Sequence, residues 1–106
     1  MGLDNGIILN IAVSVPEPEQ LDFPKEVEIC YWRKDWELRN RIMYRCGFDE
    51  DGGGEYTLTI ENINTIISIL QELSSLHFSE DIESLQWLVK YVTNHPDAEV
   101  FFYDSY

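Results

Sequence analysis

By residue type, the groups best suited to chemistry are the acids of Asp49-Glu50-Asp51-Gly52-Gly53-Gly54-Glu55, the histidines His77 and His95, and the cysteines Cys30 and Cys46. The acidic run places carboxylates at positions 1, 3 and 7 of a calcium-type loop, with Gly54 at position 6. Gly53 stands at position 5, however, and Ile60 takes position 12, where a bidentate Glu closes such a loop. A solvated acidic loop is therefore expected, and no metal site. Neither histidine has a ligand-spaced neighbour, so helix capping or simple exposure is expected of both. Cys30 and Cys46 are 16 residues apart, which matches neither a redox pair nor a zinc spacing. On one helix they would lie ~24 Å apart, too far for a disulfide, and two reduced thiols are expected. The sequence contains no nucleophile elbow, phosphate loop or metal-helix motif. No two of its many carboxylates stand out as an acid and base pair. A non-enzymatic protein without a cofactor is the expectation.

A second group of residues suits ligand binding. Tyr31, Trp32, Arg33, Lys34, Trp36 and Arg39 bring aromatic faces and cations together in one short stretch. A guanidinium among indole rings either meets a carboxylate or is presented to a planar anion, because it both stacks and donates in a fork. This segment is the alternative site, a pocket for a nucleotide-like ligand, and Arg39 is its centre.

These residues need elements to hold them. Ile7 to Val15 alternates as a strand with Ile7, Leu9, Ile11 and Val13 on one face, and Pro16 and Pro18 end it. Val27 to Cys46 reads as a helix that buries Ile29, Trp32, Trp36 and Met43, with Tyr31, Leu38 and Ile42 as a second stripe. A start as late as Asp35 is also compatible, because Val27 to Trp32 suits a strand. Tyr56 to Thr59 is a short strand or the entry to a helix. Thr59 caps a helix over Ile60 to Leu76 with Ile63, Ile66, Ile67, Leu70 and Leu73 inward. Ser79 caps a last helix over Glu80 to Asn94 with Ile82, Leu85, Leu88, Val89 and Val92 inward. Glu80 and Asp81 in its first turn suit the helix dipole. Glu99 to Tyr103 is a strand apolar on both faces, which belongs inside a sheet beside the first strand or at a subunit contact. The sum is one α+β domain over residues 1–106: a small sheet including the N- and C-terminal strands, packed against about three helices.

Charge is the least random feature. The 106 residues carry a net charge of −13. Six of the seven cations, Lys25, Arg33, Lys34, Arg39, Arg41 and Arg45, lie in 25–45 beside only four acids. Asp35–Arg39 and Glu37–Arg41 have the favoured i,i+4 order, each worth ~0.3–0.5 kcal/mol. Lys34, Arg41 and Arg45 are left over on one outer side of the expected helix. So acidic a chain is ill suited to bare nucleic acid or anionic membrane. It suits a basic protein partner, and Asp49, Glu50, Asp51, Glu55, Glu80, Asp81 and Glu83 are the candidate contact acids. No stretch approaches the ~20 apolar residues of a membrane span. The start, with Asp4 and no early cation, does not read as a signal peptide.

The opening Met1-Gly2-Leu3-Asp4-Asn5-Gly6-Ile7, the segment Ile29-Cys30-Tyr31-Trp32-Arg33-Lys34-Asp35-Trp36 with Arg39-Asn40, and the aromatic end Phe101-Phe102-Tyr103-Asp104-Ser105-Tyr106 carry a resemblance. Together they resemble a group of small uncharacterised phage and prophage proteins that begin Met-Gly-Leu-Asp and carry a Tyr-Trp-Arg-Lys stretch. The resemblance implies a bacterial cytoplasm and an accessory gene. It favours an anti-CRISPR-like inhibitor of host defence that docks on a basic, nucleic-acid-binding host protein. A nucleotide-signal sponge built on residues 31–39 is the second expectation. A structural or assembly protein, dimeric through the Val100–Tyr103 strand, is the third.

Overall fold

A computed structural model describes residues 3–11, 25–48 and 54–105. The elements in chain order are β1 (Asp4–Ile11), β2 (Lys25–Arg33), α1 (Trp36–Arg45), β3 (Gly54–Thr57), α2 (Ile60–Ser74), α3 (Ser79–Asn94) and β4 (Glu99–Ser105). The four strands form one antiparallel sheet in the order β2-β1-β4-β3. The fold is α+β, and both terminal strands lie at the centre of the sheet.

Alternation along the strands decides which face meets the helices. Asn5, Ile7 and Leu9 of β1 point the same way as Cys30 and Trp32 of β2 and Val100, Phe102 and Asp104 of β4, and all are buried. This inner face packs on Leu38, Ile42 and Met43 of α1, on Ile63, Ile66, Ile69 and Leu70 of α2, and on Ile82, Leu85 and Leu88 of α3. Phe48 and Tyr56 stack on each other at 4.7 Å between ring centres and extend the aromatic layer to Phe102. Glu99 to Tyr103 sits inside the sheet as its apolar pattern requires. With β1 on one side and β3 on the other, β4 offers no free backbone edge to a second copy.

The long second helix divides. Residues 25–33 are a strand, and the helix starts at Trp36. The break has a local cause. Lys34 takes φ 59, a left-handed turn, and its N–H donates to the Leu3 carbonyl at 2.7 Å. Asp35 Oδ1 then accepts from the Leu38 N–H at 3.1 Å and caps the helix. Val27, Ile29 and Tyr31, β-branched and aromatic, fit a strand better than a helix. Ile29, Trp32, Trp36 and Met43 therefore do not share a helix face: Trp32 faces the core from β2, whereas Trp36 is 46% exposed on α1.

Other boundaries move less. β1 begins three residues earlier than its apolar run, at Asp4. Residues 12–15 and Pro16 and Pro18 lie outside the described residues. Thr59 and Asn62 form a reciprocal capping box at the start of α2. Ser79 is not a cap: Phe78 takes that position without a side-chain hydrogen bond, and Ser79 is the first helical residue. No helix among the described residues is long and apolar enough to cross a membrane.

Candidate functional site: the helix-free face of the sheet

All three helices lie against the inner face, and none of them covers the other. The outer positions follow from the register. The row nearest the chain ends is Arg33, Asp4 and Ser105. Behind it come Tyr31, Gly6, Tyr103 and Glu55, then Glu28, Ile8, Phe101 and Thr57, then Glu26, Asn10 and Glu99. A bulge between Ile7 and Ile8 brings Glu28 opposite Ile8 and keeps it on this face. The strands thus present the acids Asp4, Glu26, Glu28, Glu55 and Glu99, with the cation Arg33, around a half-buried strip of Ile8, Phe101 and Tyr103.

Two tyrosines organise the face. Tyr31 donates its hydroxyl to Asp4 Oδ1 at 2.8 Å, and Tyr103 donates to Glu28 Oε2 at 3.1 Å. The Tyr103 ring lies across Gly6, where a Cβ would collide with the Cys30 carbonyl oxygen and press on the ring at 3.0 Å. Glycine is required there for close approach rather than for a turn. Burial, and then the carboxylate of Glu28, push the Tyr103 phenol up to about 12 from the usual 10.0. The Tyr31 phenol is raised by its hydrogen bond to Asp4. Both phenols stay protonated at neutral pH and donate to the carboxylates. A shallow cleft opens beside Tyr103, lined also by Ile8, Glu28, Gly54, Glu55, Asp104 and Ser105.

The acids expected to form one surface are not brought together. Asp49, Glu50 and Asp51 lie outside the described residues. Glu55 is exposed on β3, at one edge of the sheet, whereas Glu80 and Glu83 are exposed on α3, which packs against β2 at the other edge. Asp81 turns inward, and its Oδ2 accepts from Trp32 Nε1 at 3.1 Å. Of the described ones, Glu55 alone belongs to the helix-free face. Asp4, Glu26, Glu28, Glu99 and Tyr103 were not legible as site residues while 27–46 was read as one helix. The signal present was the alternation of Glu26 and Glu28 about Val27, a period of two that the bulge at Ile29 interrupts before Cys30 and Tyr31.

The alternative pocket is dispersed by the same strand. Tyr31 and Arg33 face outward from β2, Trp32 faces the core, Lys34 occupies the turn, and Trp36 and Arg39 belong to α1. Arg39 does not meet Asp35. Its Nε and Nη2 donate to Asp104 Oδ2 at 3.0 and 2.8 Å. The Asp104 side chain is wholly buried and that of Arg39 12% exposed. The guanidinium also lies 6.0 Å from the Trp36 ring centre and donates to Asn40. Of the expected outer remainder, Lys34 stands in the turn, Arg41 meets Glu37 at 3.1 Å, and Arg45 reaches Glu72 on α2 at 2.8 Å.

The thiols are free and occupy different elements, Cys30 buried on β2 and Cys46 at the end of α1. Burial, reinforced by Asp81 and Glu28, pushes the Cys30 thiol far up, and burial pushes Cys46 up to about 11. His95 stacks on Tyr91 with ring centres 4.0 Å apart, and its Nδ1 lies 2.9 Å from the Tyr91 carbonyl oxygen. Among the described residues no three His, Cys, Asp or Glu side chains are grouped to hold a metal ion.

Comparison with known proteins adds one partial likeness. No family model matches the chain. No solved structure matches it. The chain is 35% identical over 82 residues to the DNA mismatch repair protein MutL of Chlorobium phaeovibrioides, an alignment that covers 69% of this chain and 13% of that relative. The chain thus spans a small part of the length of the relative it matches.

Proposed function

We propose that this protein is a non-enzymatic accessory protein, of the phage or prophage type, that inhibits a basic host protein by docking its acidic, helix-free sheet face on a surface meant for nucleic acid. The observation that carries this reading is the sheet face that no helix covers among the described residues, on which carboxylates from all four strands surround a half-buried apolar strip. Surfaces that bind phosphates are basic, so a face of this sign competes for them, and the −13 net charge speeds the encounter. The likeness to part of a DNA mismatch repair protein fits a partner that itself handles DNA. The resemblance to phage proteins supplies the setting, a bacterial cytoplasm and a host-defence target such as a CRISPR nuclease.

The nucleotide-sponge alternative has lost the residue at its centre, because Arg39 is committed to Asp104. The test is competition. Added to a basic DNA-binding nuclease at low salt, the protein should displace duplex DNA and slow cleavage in proportion to its concentration, and the effect should weaken as ionic strength rises. Displacement that is unchanged from low to high salt would overturn the reading.

A further inference from the structure

We infer that the cleft beside Tyr103 is a socket for an arginine side chain of the basic partner. This rests on the proposed docking through the helix-free face and names what that face recognises. The cleft has the chemistry of a guanidinium on an alkyl stem. Its lining includes Ile8, half-buried and apolar, which suits a three-carbon stem. Glu28 and Glu55 also line it and belong to strands separated by β1 and β4, so the carboxylates flank the opening rather than crowd one another. Tyr103 supplies an aromatic face between them, and its ring is fixed at one end by Glu28 and underneath by Gly6.

The arrangement favours arginine over lysine. A planar guanidinium stacks on a fixed ring while donating in two directions to carboxylates. An ammonium is a compact, strongly hydrated point charge that gains little from the ring. Tyr103 cannot offer a phenolate to compete with Glu28 and Glu55, because its proton is held toward Glu28. The rest of the face, Asp4, Glu26 and Glu99, adds attraction that does not distinguish the two cations.

The experiment compares hexa-arginine and hexa-lysine peptides at equal charge, by fluorescence anisotropy at moderate salt and by amide chemical shifts in the full chain. Hexa-arginine should bind about fivefold more tightly, with the largest shifts at Ile8, Tyr103 and Glu55. Glu55→Gln should remove most of that preference while leaving weaker, non-selective binding. Tyr103→Phe should keep the preference if its thermal unfolding is unchanged, since the ring remains, and Tyr103→Leu should lose it. Glu55→Gln, on an exposed side chain, keeps the test valid should Tyr103→Leu fail to fold. Equal affinities at the same face would overturn the socket and leave the acidic docking face standing. No binding of either peptide, or shifts centred on α3, would overturn both.

Discussion

Asp104 has no exposed side-chain surface, yet one of its oxygens takes two donors from Arg39, 65 residues earlier in the chain. Removing one partner of such a pair strands the other, which costs about 3 kcal/mol. Asp104→Ala should therefore lower stability by about 3 kcal/mol in urea titration. A variant as stable as the parent would mean that Arg39 is not tied to the sheet through this carboxylate. The thiols and phenols make a second prediction. Cys46 is raised from the usual 9.0 to about 11 and Tyr103 from 10.0 to about 12, and Cys30 is raised further. The folded state thus holds protons that the unfolded chain releases first. Their contribution is complete below about pH 9 and is lost as pH rises through 11 and 12. The urea midpoint should be flat from pH 7 to 8.5 and should fall steeply above pH 9. The same burial keeps both cysteines slow toward alkylating reagents at pH 8 until the chain unfolds.

Elements legible from one-dimensional pattern were those with strong periodicity or a cap. The inward stripe of α2, its start at Thr59 and the doubly apolar β4 all follow from spacing alone. Thr59→Ala removes the bond that the Asn62 N–H donates to the Thr59 hydroxyl, leaves the one from the Thr59 N–H to Asn62, and should cost about 1 kcal/mol, seen as a lower unfolding midpoint with an unchanged slope. What the sequence left open was the strand at 25–33, which reads as a helix from Val27 or as a strand before a helix start as late as Asp35. Its aromatic and apolar residues fit a helical wheel as well as an alternating strand, and only the turn at Lys34, anchored on Leu3, settles the choice. That contact is long-range, between residues 31 apart in sequence, and no local pattern encodes it. The candidate site was hidden for the same reason: its acids come from four strands, and their assembly depends on the register of β2 against β1. Arg39 was singled out with Asp35 as its expected partner, but the carboxylate it meets lies on the last strand, beyond the reach of i,i+4 reasoning.

At the scale of the whole molecule, the described residues make the protein two-faced, with helices and core on one side of the sheet and carboxylates on the other. Half of the basic segment's cations meet acids of the same chain: Arg39 the buried Asp104, Arg41 the exposed Glu37, Arg45 the exposed Glu72. The negative charge is what remains for the outside. The most direct measurement is the affinity for a basic DNA-binding protein of two variants that remove equal charge from different places, Glu28→Gln with Glu55→Gln on the sheet face and Glu80→Gln with Glu83→Gln on α3. Glutamine at 28 still accepts the Tyr103 hydroxyl, so the face keeps its shape. The sheet-face pair should weaken binding at least tenfold and flatten its salt dependence, and the α3 pair should change it less than threefold. Equal losses from both pairs, or a larger loss from α3, would contradict the assignment of the helix-free face as the docking surface.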